Sequence, residues 1–361
     1  MHMTRLERLV ELVNDHALDG FLAQTPASLG YLVEFPEDAH ERFMVLAVHK
    51  SGQHSLICPA LSSIQARRAG ITNIRDWRDG ENPVALFSDL IEEWNGEAGV
   101  FLVDDHMPAK MLLEMQQAFI GIRFVSGGSY LGQLTGVKDA EELAKMKAAG
   151  ELADQVFLKV KSSLSEGMTE LDLEKVIRDE FSRLGGNPTF CIVGFGPGAA
   201  ESHHINSETK LAKDDLVLVD FGCEFQGYNS DITRMLSFGT ATAKHKEVYD
   251  VVYRAHEAAR LAACVGAIPA EVDRAARQVI ADAGYGEYFT HRTGHGIGTQ
   301  VHEHPNISPD NTTPLIEGNC FSIEPGIYLP GEFGVRLENL YSSSSSAVSF
   351  NAPISPVLEE V

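Results

Sequence analysis

Five residues between positions 220 and 338 have side chains that could bind metal ions. They are four carboxylates and one imidazole, with no cysteine among them: Asp220, Asp231, His295, Glu324 and Glu338. Oxygen donors with a single imidazole suit a pair of divalent ions such as Mn, Co, Fe or Zn, whereas a structural zinc site usually takes thiolates. The residue types therefore predict a two-metal site.

The first two acidic residues lie in the segment VDFGCEFQGYNSDITR. Asp220 ends the apolar run LVLVD, where a carboxylate is costly unless it is paired or bound to a metal. Asp231 follows eleven positions later, past a glycine turn. Two adjacent antiparallel strands could direct both carboxylates into one pocket. Read alone, the segment is equally compatible with two hairpin aspartates that cap turns.

The other three residues lie in HRTGHGIG, SIEPGIY and GVRLEN. Glycines around His295 let the backbone approach a site closely, although a glycine-rich turn with an incidental histidine has the same pattern. Glu324 lies between an apolar segment and a Pro-Gly turn, and Glu338 also follows apolar residues. A glutamate in such a place is not expected to be buried without a partner. The five features together favour a metal site over five coincidences.

Composition limits the class of protein and its partners. The 361 residues are enough for two domains. The 29 basic and 51 acidic residues give a formal net charge of −22, which argues against a nucleic-acid or membrane partner because both need clustered Lys and Arg. No secretory signal or membrane-spanning run is expected. The five scattered cysteines are expected to be reduced, and the protein is expected to be cytoplasmic.

The apolar pattern divides the chain into two parts. Short apolar runs at 20–24, 43–49, 54–59 and 99–104 alternate with helical patterns and predict an α/β domain. The glycine-rich segment at 126–139 is interpreted as the boundary. Beyond it, two helical segments followed by strands occur twice, which suggests two related halves that face each other. The serine run at 342–346 is expected to be an exposed strand edge or loop.

The stretch from His203 to Asn339 resembles the pita-bread metallopeptidases, which include methionine aminopeptidase, aminopeptidase P and prolidase. The motifs that carry the resemblance are VDFGCEFQGYNSDITR, HRTGHGIGTQVHEHP, SIEPGIYLPG and GVRLEN. They are most similar to bacterial Xaa-Pro dipeptidases and aminopeptidases. The resemblance implies a creatinase-like α/β N-terminal domain over residues 1–130 and an α+β pita-bread catalytic domain over residues 131–361.

The resemblance also implies the arrangement of the metal ligands. Asp220 would chelate one ion, Asp231 and Glu338 would bridge both ions, and His295 and Glu324 would complete the second ion. The ions are expected to be Mn, with Co, Zn or Fe as alternatives. Together they would hold a hydroxide that attacks the scissile carbonyl, which the ions polarise.

Residues around the ligands receive roles from the same resemblance. Glu324 would also carry the proton to the leaving amine. His302, in VHEHP, and His203, in ESHHIN, would bind the substrate or the tetrahedral intermediate. Arg336 would orient a bridging carboxylate from outside the ligand set. Three further histidines, His245, His256 and His291, are expected to have structural or surface roles.

The resemblance implies hydrolysis of the Xaa-Pro bond of dipeptides or short peptides by a homodimeric enzyme. One alternative is an aminopeptidase P that acts on longer peptides with proline in the second position. Another is a metal-free hydrolase of the creatinase type. A third, from a different class, is a pita-bread domain that has lost catalysis and serves as a binding module. The complete ligand set disfavours the last two.

The sequence departs from the family pattern at two places near the expected site. Family members commonly have Pro-His-Gly where this chain has Ser202-His203-His204, so His203 is the preferred substrate histidine and His204 stays open. Many prolidases have an arginine directly after the H-E-x-P motif to hold the dipeptide carboxylate, and this chain has Asn306 there. Either the enzyme takes longer peptides and needs no anchor, or a cation comes from elsewhere. The N-terminal loop EFPEDAHERF offers Arg42, with Asp38 close by, as residues that could bind substrate, and Arg42 could do so in a neighbouring subunit's active site. The alternative is that this loop is a solvated surface loop.

Overall fold

The computed structural model of the protein describes residues 3–94 and 99–361. Contacts within the chain form two units, Met1–Thr135 and Gly136–Val361. The boundary expected from the sequence was residue 130. Among the described residues, no helix combines the length and the apolar character that crossing a membrane requires.

The first unit alternates strands and helices. Its elements are α1 (Arg5–Asp15), β1 (Gly20–Ala23), α2 (Pro26–Val33), β2 (Val45–His49), β3 (His54–Pro59), α3 (Ala60–Arg68), β4 (Ile74–Trp77), α4 (Pro83–Glu93), β5 (Gly99–Val103), α5 (Ala109–Ala118), β6 (Ile122–Ser126) and α6 (Gly128–Thr135). The strands form one mixed sheet in the order β4-β3-β2-β1-β5-β6. Side chains that alternate along β1 enter two different clusters, Phe21 and Ala23 in one and Leu22 in the other. Helices therefore cover both faces of the sheet, as in other α/β domains.

Helix α6 lies inside the glycine-rich segment that was interpreted as a boundary. Its start is held by Asp105, whose Oδ1 accepts hydrogen bonds from the Gly128 amide at 3.0 Å and the Ser126 hydroxyl at 2.6 Å. A Cβ at position 128 would lie 2.2 Å from Asp105 Oδ2, so only glycine fits this close approach. Because the capping carboxylate is distant in sequence, the local pattern could not predict the helix.

The second unit contains two pairs of long helices, each followed by strands. The first half comprises α7 (Ala140–Ser163), α8 (Glu170–Arg183), β7 (Asn187–Phe195), β8 (Asp215–Phe225), β9 (Tyr228–Asn229) and β10 (Ile232–Phe238). The second half comprises α9 (Ala243–Ala262), α10 (Pro269–Asp282), β11 (Gly294–Gly296), β12 (Glu303–Ile307), β13 (Cys320–Ile323), β14 (Gly326–Leu329), β15 (Phe333–Arg336), β16 (Asn339–Ser342), β17 (Val348–Ser349) and β18 (Glu359–Glu360). This is the repeated order expected from the sequence.

Three sheets build the strand layer of the second unit. One has the order β18-β10-β8-β7 with β9 paired to β8, one has the order β12-β11-β13-β16-β17, and β14 pairs with β15. Apolar residues of α7 and α8 pack against β7, β8 and β10, whereas those of α9 and α10 pack against β13, β14 and β15. The helices thus shield one side of the strands and leave the other side available for polar residues.

The serine run differs in part from the exposed edge that was expected. Ser342 belongs to β16, which lies between β13 and β17 rather than at an edge. Ser342 and Ser343 are buried, and only Ser345 and Ser346 are exposed. The Ser343 hydroxyl donates to the Ile316 carbonyl, which explains how a polar side chain is accommodated in the interior.

Candidate metal centre

A cavity of about 490 Å³ in the second unit brings together the residues that the sequence singled out. It is lined by all five predicted ligands and by three of the predicted auxiliary residues: Asp220, Asp231, His295, Glu324, Glu338, His203, His302 and Arg336. Seven further residues complete the wall: Phe190, Ile192, Ser202, His291, Arg292, Val301 and Tyr328. Residues more than 100 positions apart in sequence therefore share one pocket.

Strand register explains how the carboxylates meet. In the antiparallel pair β8–β10, Asp220 lies opposite Thr233, and Asp231 precedes Thr233 by two residues, so all three side chains share one face of the sheet. In the pair β13–β16, Ile323 lies opposite Asn339. Continuing this register by one residue places Glu324 opposite Glu338. The two antiparallel strand pairs thus present two acidic pairs to the cavity.

His295 enters the cavity from the short strand β11, which is squeezed between β12 and β13. A Cβ on Gly294 would lie 1.9 Å from the Ser322 carbonyl oxygen, and one on Gly296 would lie 2.3 Å from the His304 carbonyl carbon. Only glycine at both positions allows the three strands to approach this closely. The glycines around His295 are therefore required by strand packing, and they fix the histidine at the cavity wall.

The ring of His295 leaves one nitrogen, Nε2, available to bind a metal ion. Its Nδ1 lies 3.0 Å from the Gly296 carbonyl, which can only accept, so Nδ1 carries the proton. Nε2 then presents a lone pair 3.5 Å from Asp231 Oδ2 and 3.3 Å from Glu324 Oε1. Two carboxylates facing a lone pair repel it unless a cation lies between them. This tautomer is the one expected of a metal ligand.

The carboxylates have the unsatisfied oxygens that a cation would fill. Ligand atoms of Asp231, His295 and Glu338 all lie within 4.8 Å of one another. In the described part of the chain, Asp220 Oδ1, Asp231 Oδ1 and Glu338 Oε1 are buried with no hydrogen-bond partner. Buried polar atoms are normally paired, so three unpartnered oxygens in one cluster fit a site that binds cations. The donor set fits divalent ions that prefer oxygen and imidazole ligands.

Electrostatics lead to the same conclusion. Burial raises the pKa of Asp231 well above its usual value, and the charges of Asp220 and Glu324 add to the effect. Burial and the charges of Asp231 and Glu324 likewise raise the pKa of Glu338 well above its usual value. Burial also opposes ionisation of Glu324, but His295, His291 and Arg336 outweigh it and lower that pKa. The positive charge of Arg336 does not offset all four carboxylates, and bound cations would supply the remainder.

Arg336 compensates one carboxylate and organises its surroundings. Its Nη2 lies 2.5 Å from Asp220 Oδ2, and its Nε donates to the Thr233 hydroxyl at 3.0 Å. That hydroxyl in turn donates to Glu338 Oε2 at 2.8 Å. Arg336 therefore contacts Asp220 directly and reaches Glu338 through Thr233. This agrees with an orienting role, although the sequence assigned it to a bridging carboxylate alone.

The structure distinguishes the two adjacent histidines that the sequence left open. His203 lines the cavity, whereas His204 turns away from it toward α8. His204 Nε2 lies 2.9 Å from Glu170 Oε2, and its Nδ1 lies 3.1 Å from Glu201 Oε2. The geometry therefore favours His203 as the histidine that could meet a substrate.

His302 lies next to one of the predicted metal ligands, His295. Its ring packs edge-on against that of His295, with the centroids 4.3 Å apart. Burial of the ring, together with the potential of His295 and Arg292, lowers the pKa of His302 to about 4. A neutral imidazole at this place can donate one hydrogen bond to an oxygen that gains negative charge.

Two residues of the cavity wall, His291 and Tyr328, were not recognised from the sequence. His291 Nδ1 donates to the Arg292 carbonyl at 2.7 Å, so its Nε2 accepts from the Tyr328 hydroxyl at 2.8 Å. The same hydroxyl accepts from Arg336 Nη1 at 2.8 Å. His291 thus belongs to the network behind Asp220, although a structural role was expected. The signal available in the sequence was that His291 lies only four residues before the predicted ligand His295, which could have suggested a place near the site.

Arg292 is a third residue of the wall that sequence reasoning missed. Its Nη1 donates to Asn306 Oδ1 at 2.9 Å. Asn306 is the residue found where many prolidases have arginine. The side chain is half-buried, and no carboxylate within residues 3–94 and 99–361 forms an ion pair with it. The cavity wall therefore contains a guanidinium, but it belongs to Arg292, the hydrogen-bond partner of Asn306, and not to position 306 itself.

The two residues suggested in the N-terminal loop have local partners within the first unit. Arg42 pairs with Asp79 and Glu41, at 3.4 Å and 3.2 Å. The Asp38 carboxylate accepts from the His40 amide at 2.7 Å. These contacts describe the loop by itself, and a role in substrate binding stays a prediction for both residues.

Comparison with known proteins places this geometry in a family. The profile of metallopeptidase family M24 matches residues 144–342, and that of the creatinase/prolidase N-terminal domain matches residues 5–134. The dipeptidase PepE of Mycobacterium ulcerans is 36% identical, with a TM-score of 0.93 over 99% of this chain and 97% of that chain. A prolidase from Thermococcus sibiricus is 33% identical, with a TM-score of 0.93 over 100% of both chains. An X-Pro aminopeptidase from Thermotoga maritima is 28% identical, with a TM-score of 0.86 over 99% of this chain and 100% of that chain.

Proposed function

This chain belongs to metallopeptidase family M24, and from that membership we propose that it hydrolyses the Xaa-Pro bond of dipeptides with two divalent metal ions. The observation that carries the proposal is the cavity in which five ligand residues converge with three orphaned carboxylate oxygens. The relatives named as dipeptidase and prolidase support the substrate class. Manganese as the ion, a homodimer and a cytoplasmic location stay predictions within this proposal.

The five ligands would divide between two ions. Asp231 and Glu338 would serve both ions, Asp220 would hold one of them, and His295 with Glu324 would hold the other. When bound, the ions supply an activated water and polarise the scissile carbonyl. Arg336 and Thr233 hold Asp220 and Glu338 in place from behind, so that the ligand oxygens are oriented before an ion arrives.

The remaining residues of the site would handle protons and developing charge. Glu324 has a lowered pKa and is therefore a carboxylate near neutral pH, able to take a proton and pass it to the leaving nitrogen. Its Oε1 accepts from the Ser322 hydroxyl at 3.0 Å, which also accepts the His295 amide and so fixes both side chains. His203 and His302 would donate hydrogen bonds to the oxygen on which negative charge develops.

Proline in the substrate fits this type of site. An Xaa-Pro bond has a tertiary amide nitrogen without an N–H group. Peptidases that need this N–H to bind their substrate cannot use such bonds. A site that binds the carbonyl and the free α-amine does not depend on the missing donor.

Arg292 supports a dipeptide rather than a longer peptide as the substrate. A dipeptide carries a free carboxylate directly on its proline, and a guanidinium can bind both oxygens of a carboxylate. Arg292 lines the same cavity, keeps a charge that no carboxylate of the described residues neutralises, and is fixed by Asn306 at 2.9 Å. We propose that it takes the place of the arginine expected at position 306.

Substrate choice tests the proposed function. We expect the Mn-loaded protein to hydrolyse Ala-Pro with a higher kcat/KM than Ala-Pro-Ala, and neither peptide after chelation. The measurement is release of free alanine, quantified by chromatography with and without chelator. Preference for the tripeptide would make the protein an aminopeptidase P. Failure to cleave either peptide while two ions are bound would overturn the substrate class.

Removal of the Arg292 charge tests the carboxylate anchor. Arg292→Met is expected to lower the ratio of kcat/KM for Ala-Pro to that for Ala-Pro amide about 10- to 100-fold, because hydrogen bonds to charged groups contribute about 1.5–3 kcal/mol. The matched control is Arg254→Met, which removes an exposed arginine paired with Asp250 and should leave the ratio unchanged. If Arg42→Ala lowers the ratio and Arg292→Met does not, the anchor is Arg42.

A further inference from the structure

The loop at residues 195–207, which carries His203, is tied to a single buried carboxylate. Glu170, at the start of α8, is fully buried. Its Oε1 accepts from the Phe195 amide at 3.1 Å, and its Oε2 accepts from the Ser207 amide and hydroxyl, both at 2.9 Å. Glu170 thus fastens both ends of the 195–207 loop.

His204 fastens the middle of the same loop. One ring nitrogen lies 2.9 Å from Glu170 and the other 3.1 Å from Glu201, and the side chain is only 11% exposed. Ionised carboxylates accept hydrogen bonds and cannot donate them, so two such bonds require a proton on each ring nitrogen. The geometry is that of an imidazolium held between two carboxylates.

His203 has no comparable support of its own. Its ring is exposed to the cavity, and within residues 3–94 and 99–361 no hydrogen bond to the ring is found. Its position is therefore set by the backbone of the 195–207 loop. Asn206 holds the end of the loop through hydrogen bonds to Val193, Cys191 and Glu174. The directly adjacent residue, His204, attaches the backbone next to His203.

We propose that His204, as a cation between Glu170 and Glu201, is a positioning residue that holds His203 at the cavity and makes the activity sensitive to alkaline pH. This inference rests on the proposed function, since His203 matters only if it meets the substrate. It goes beyond that function because it assigns a task to a histidine that lies outside the cavity. Loss of the second proton on His204 would release one of its two attachments.

The direction of the pH effect follows from the groups around the ring. The titratable groups that face it are Glu170 from α8 and Glu201 from the loop itself, and the short helix Gly196–Ala200 contributes only the uncharged Gly198. Burial lowers the pKa of His204, but the hydrogen bonds to the two glutamates outweigh burial and leave the pKa raised. The imidazolium is therefore present below this pKa and is lost as the pH rises through it.

The neutral ring would keep one proton and one attachment. Glu170 is fully buried, so losing one of its four donors without replacement is costly, whereas Glu201 is 70% exposed and can be solvated. The remaining proton would stay on the side of Glu170, and the bond to Glu201 would be lost. We call the contacts of His204 with Glu170 and Glu201 the His204 clamp. A substitution at Glu201 can therefore weaken the His204 clamp without disturbing the core.

The pH dependence of kcat/KM, measured on the metal-loaded enzyme, tests the His204 clamp. Glu201→Gln keeps the shape and an acceptor oxygen but removes the charge, so the alkaline limb of the kcat/KM profile for Ala-Pro should move to lower pH by roughly 0.5–1 unit. Glu208→Gln, a change at an exposed glutamate just beyond the loop, should leave the profile in place. In a His203→Ala background, Glu201→Gln should cause no shift of the limb. An unmoved limb in Glu201→Gln, or a shift that persists without His203, would overturn the proposal.

A second readout separates this inference from the proposed function. In the Zn-loaded protein labelled with ¹³C at histidine, the His204 signal (assigned by its loss in His204→Asn) should titrate above the usual histidine range. The signal should titrate at lower pH in Glu201→Gln. If the enzyme cleaves no Xaa-Pro peptide but the titration behaves as described, the substrate assignment fails and the clamp stands. A His204 that titrates in the usual range in both proteins would refute the clamp whatever the activity.

Discussion

Glu338→Gln is expected to lower kcat/KM for Ala-Pro by at least about 10³-fold, on the scale of the several kcal/mol that metal ions contribute to catalysis. Glu338 is fully buried, and its Oε1 has no protein partner among the described residues. An amide in its place keeps the volume but removes the charge that a bridging ligand supplies. The variant should also bind less metal, which mass spectrometry of the dialysed protein would measure.

The same substitution should not destabilise the metal-free protein. Without ions, Glu338 adds to the repulsion among buried carboxylates, which raises its own pKa. Its replacement should therefore leave the metal-free melting temperature unchanged or raise it, while the stabilisation gained on adding Mn becomes smaller. Glu317→Gln, at an exposed glutamate of the same unit, is the control. Full activity together with full metal content in Glu338→Gln would contradict the ligand assignment.

Arg336→Met is expected to destabilise the metal-free protein by about 3–5 kcal/mol, the usual effect of breaking one side of a buried ion pair. Arg336 is 3% exposed and bonds to Asp220, Thr233 and Tyr328. Its removal leaves the Asp220 carboxylate and the Tyr328 hydroxyl without that donor. Metal ions would compensate part of the missing charge, so the loss should be smaller in the loaded protein.

Denaturant unfolding with and without Mn would measure this difference, and kcat/KM should fall by about 10- to 100-fold in the loaded variant. Arg274→Met removes an exposed arginine paired with Glu271 and should change neither quantity. Arg336→Lys should recover little, because an ammonium cannot reach three partners at once. Equal destabilisation with and without Mn would show that Arg336 does not serve the metal site.

The candidate ligands could be selected from the sequence because each lies in its own short motif. Asp220 was expected to end a strand but lies in the middle of the buried strand β8, and the glycines beside His295 are required by the packing of β11 against its neighbours. Local patterns of this kind can be recognised in the amino-acid sequence without knowledge of the tertiary structure. The pairing that brings Glu324 opposite Glu338 depends on strand register, which the motifs suggest but do not determine.

The residues that escaped the sequence are those whose meaning depends on distant partners. His204 was left open beside the preferred His203, and its contact with Glu170, 34 positions away, shows that it turns away from the cavity. Arg292 is informative only beside Asn306, and His291 only beside Tyr328. Helix α6 was not predicted for the same reason, because the distant residue Asp105 caps its start. Tertiary contacts overrode local pattern in every one of these cases.

Titration of the metal-free protein with Mn, with Ala-Pro hydrolysis followed at each addition, tests the central claim most directly. The five converging ligands predict no hydrolysis without metal, a rise with added Mn and a plateau at two ions per chain. Hydrolysis by the thoroughly chelated protein, or two bound ions without hydrolysis of Ala-Pro, would contradict the account.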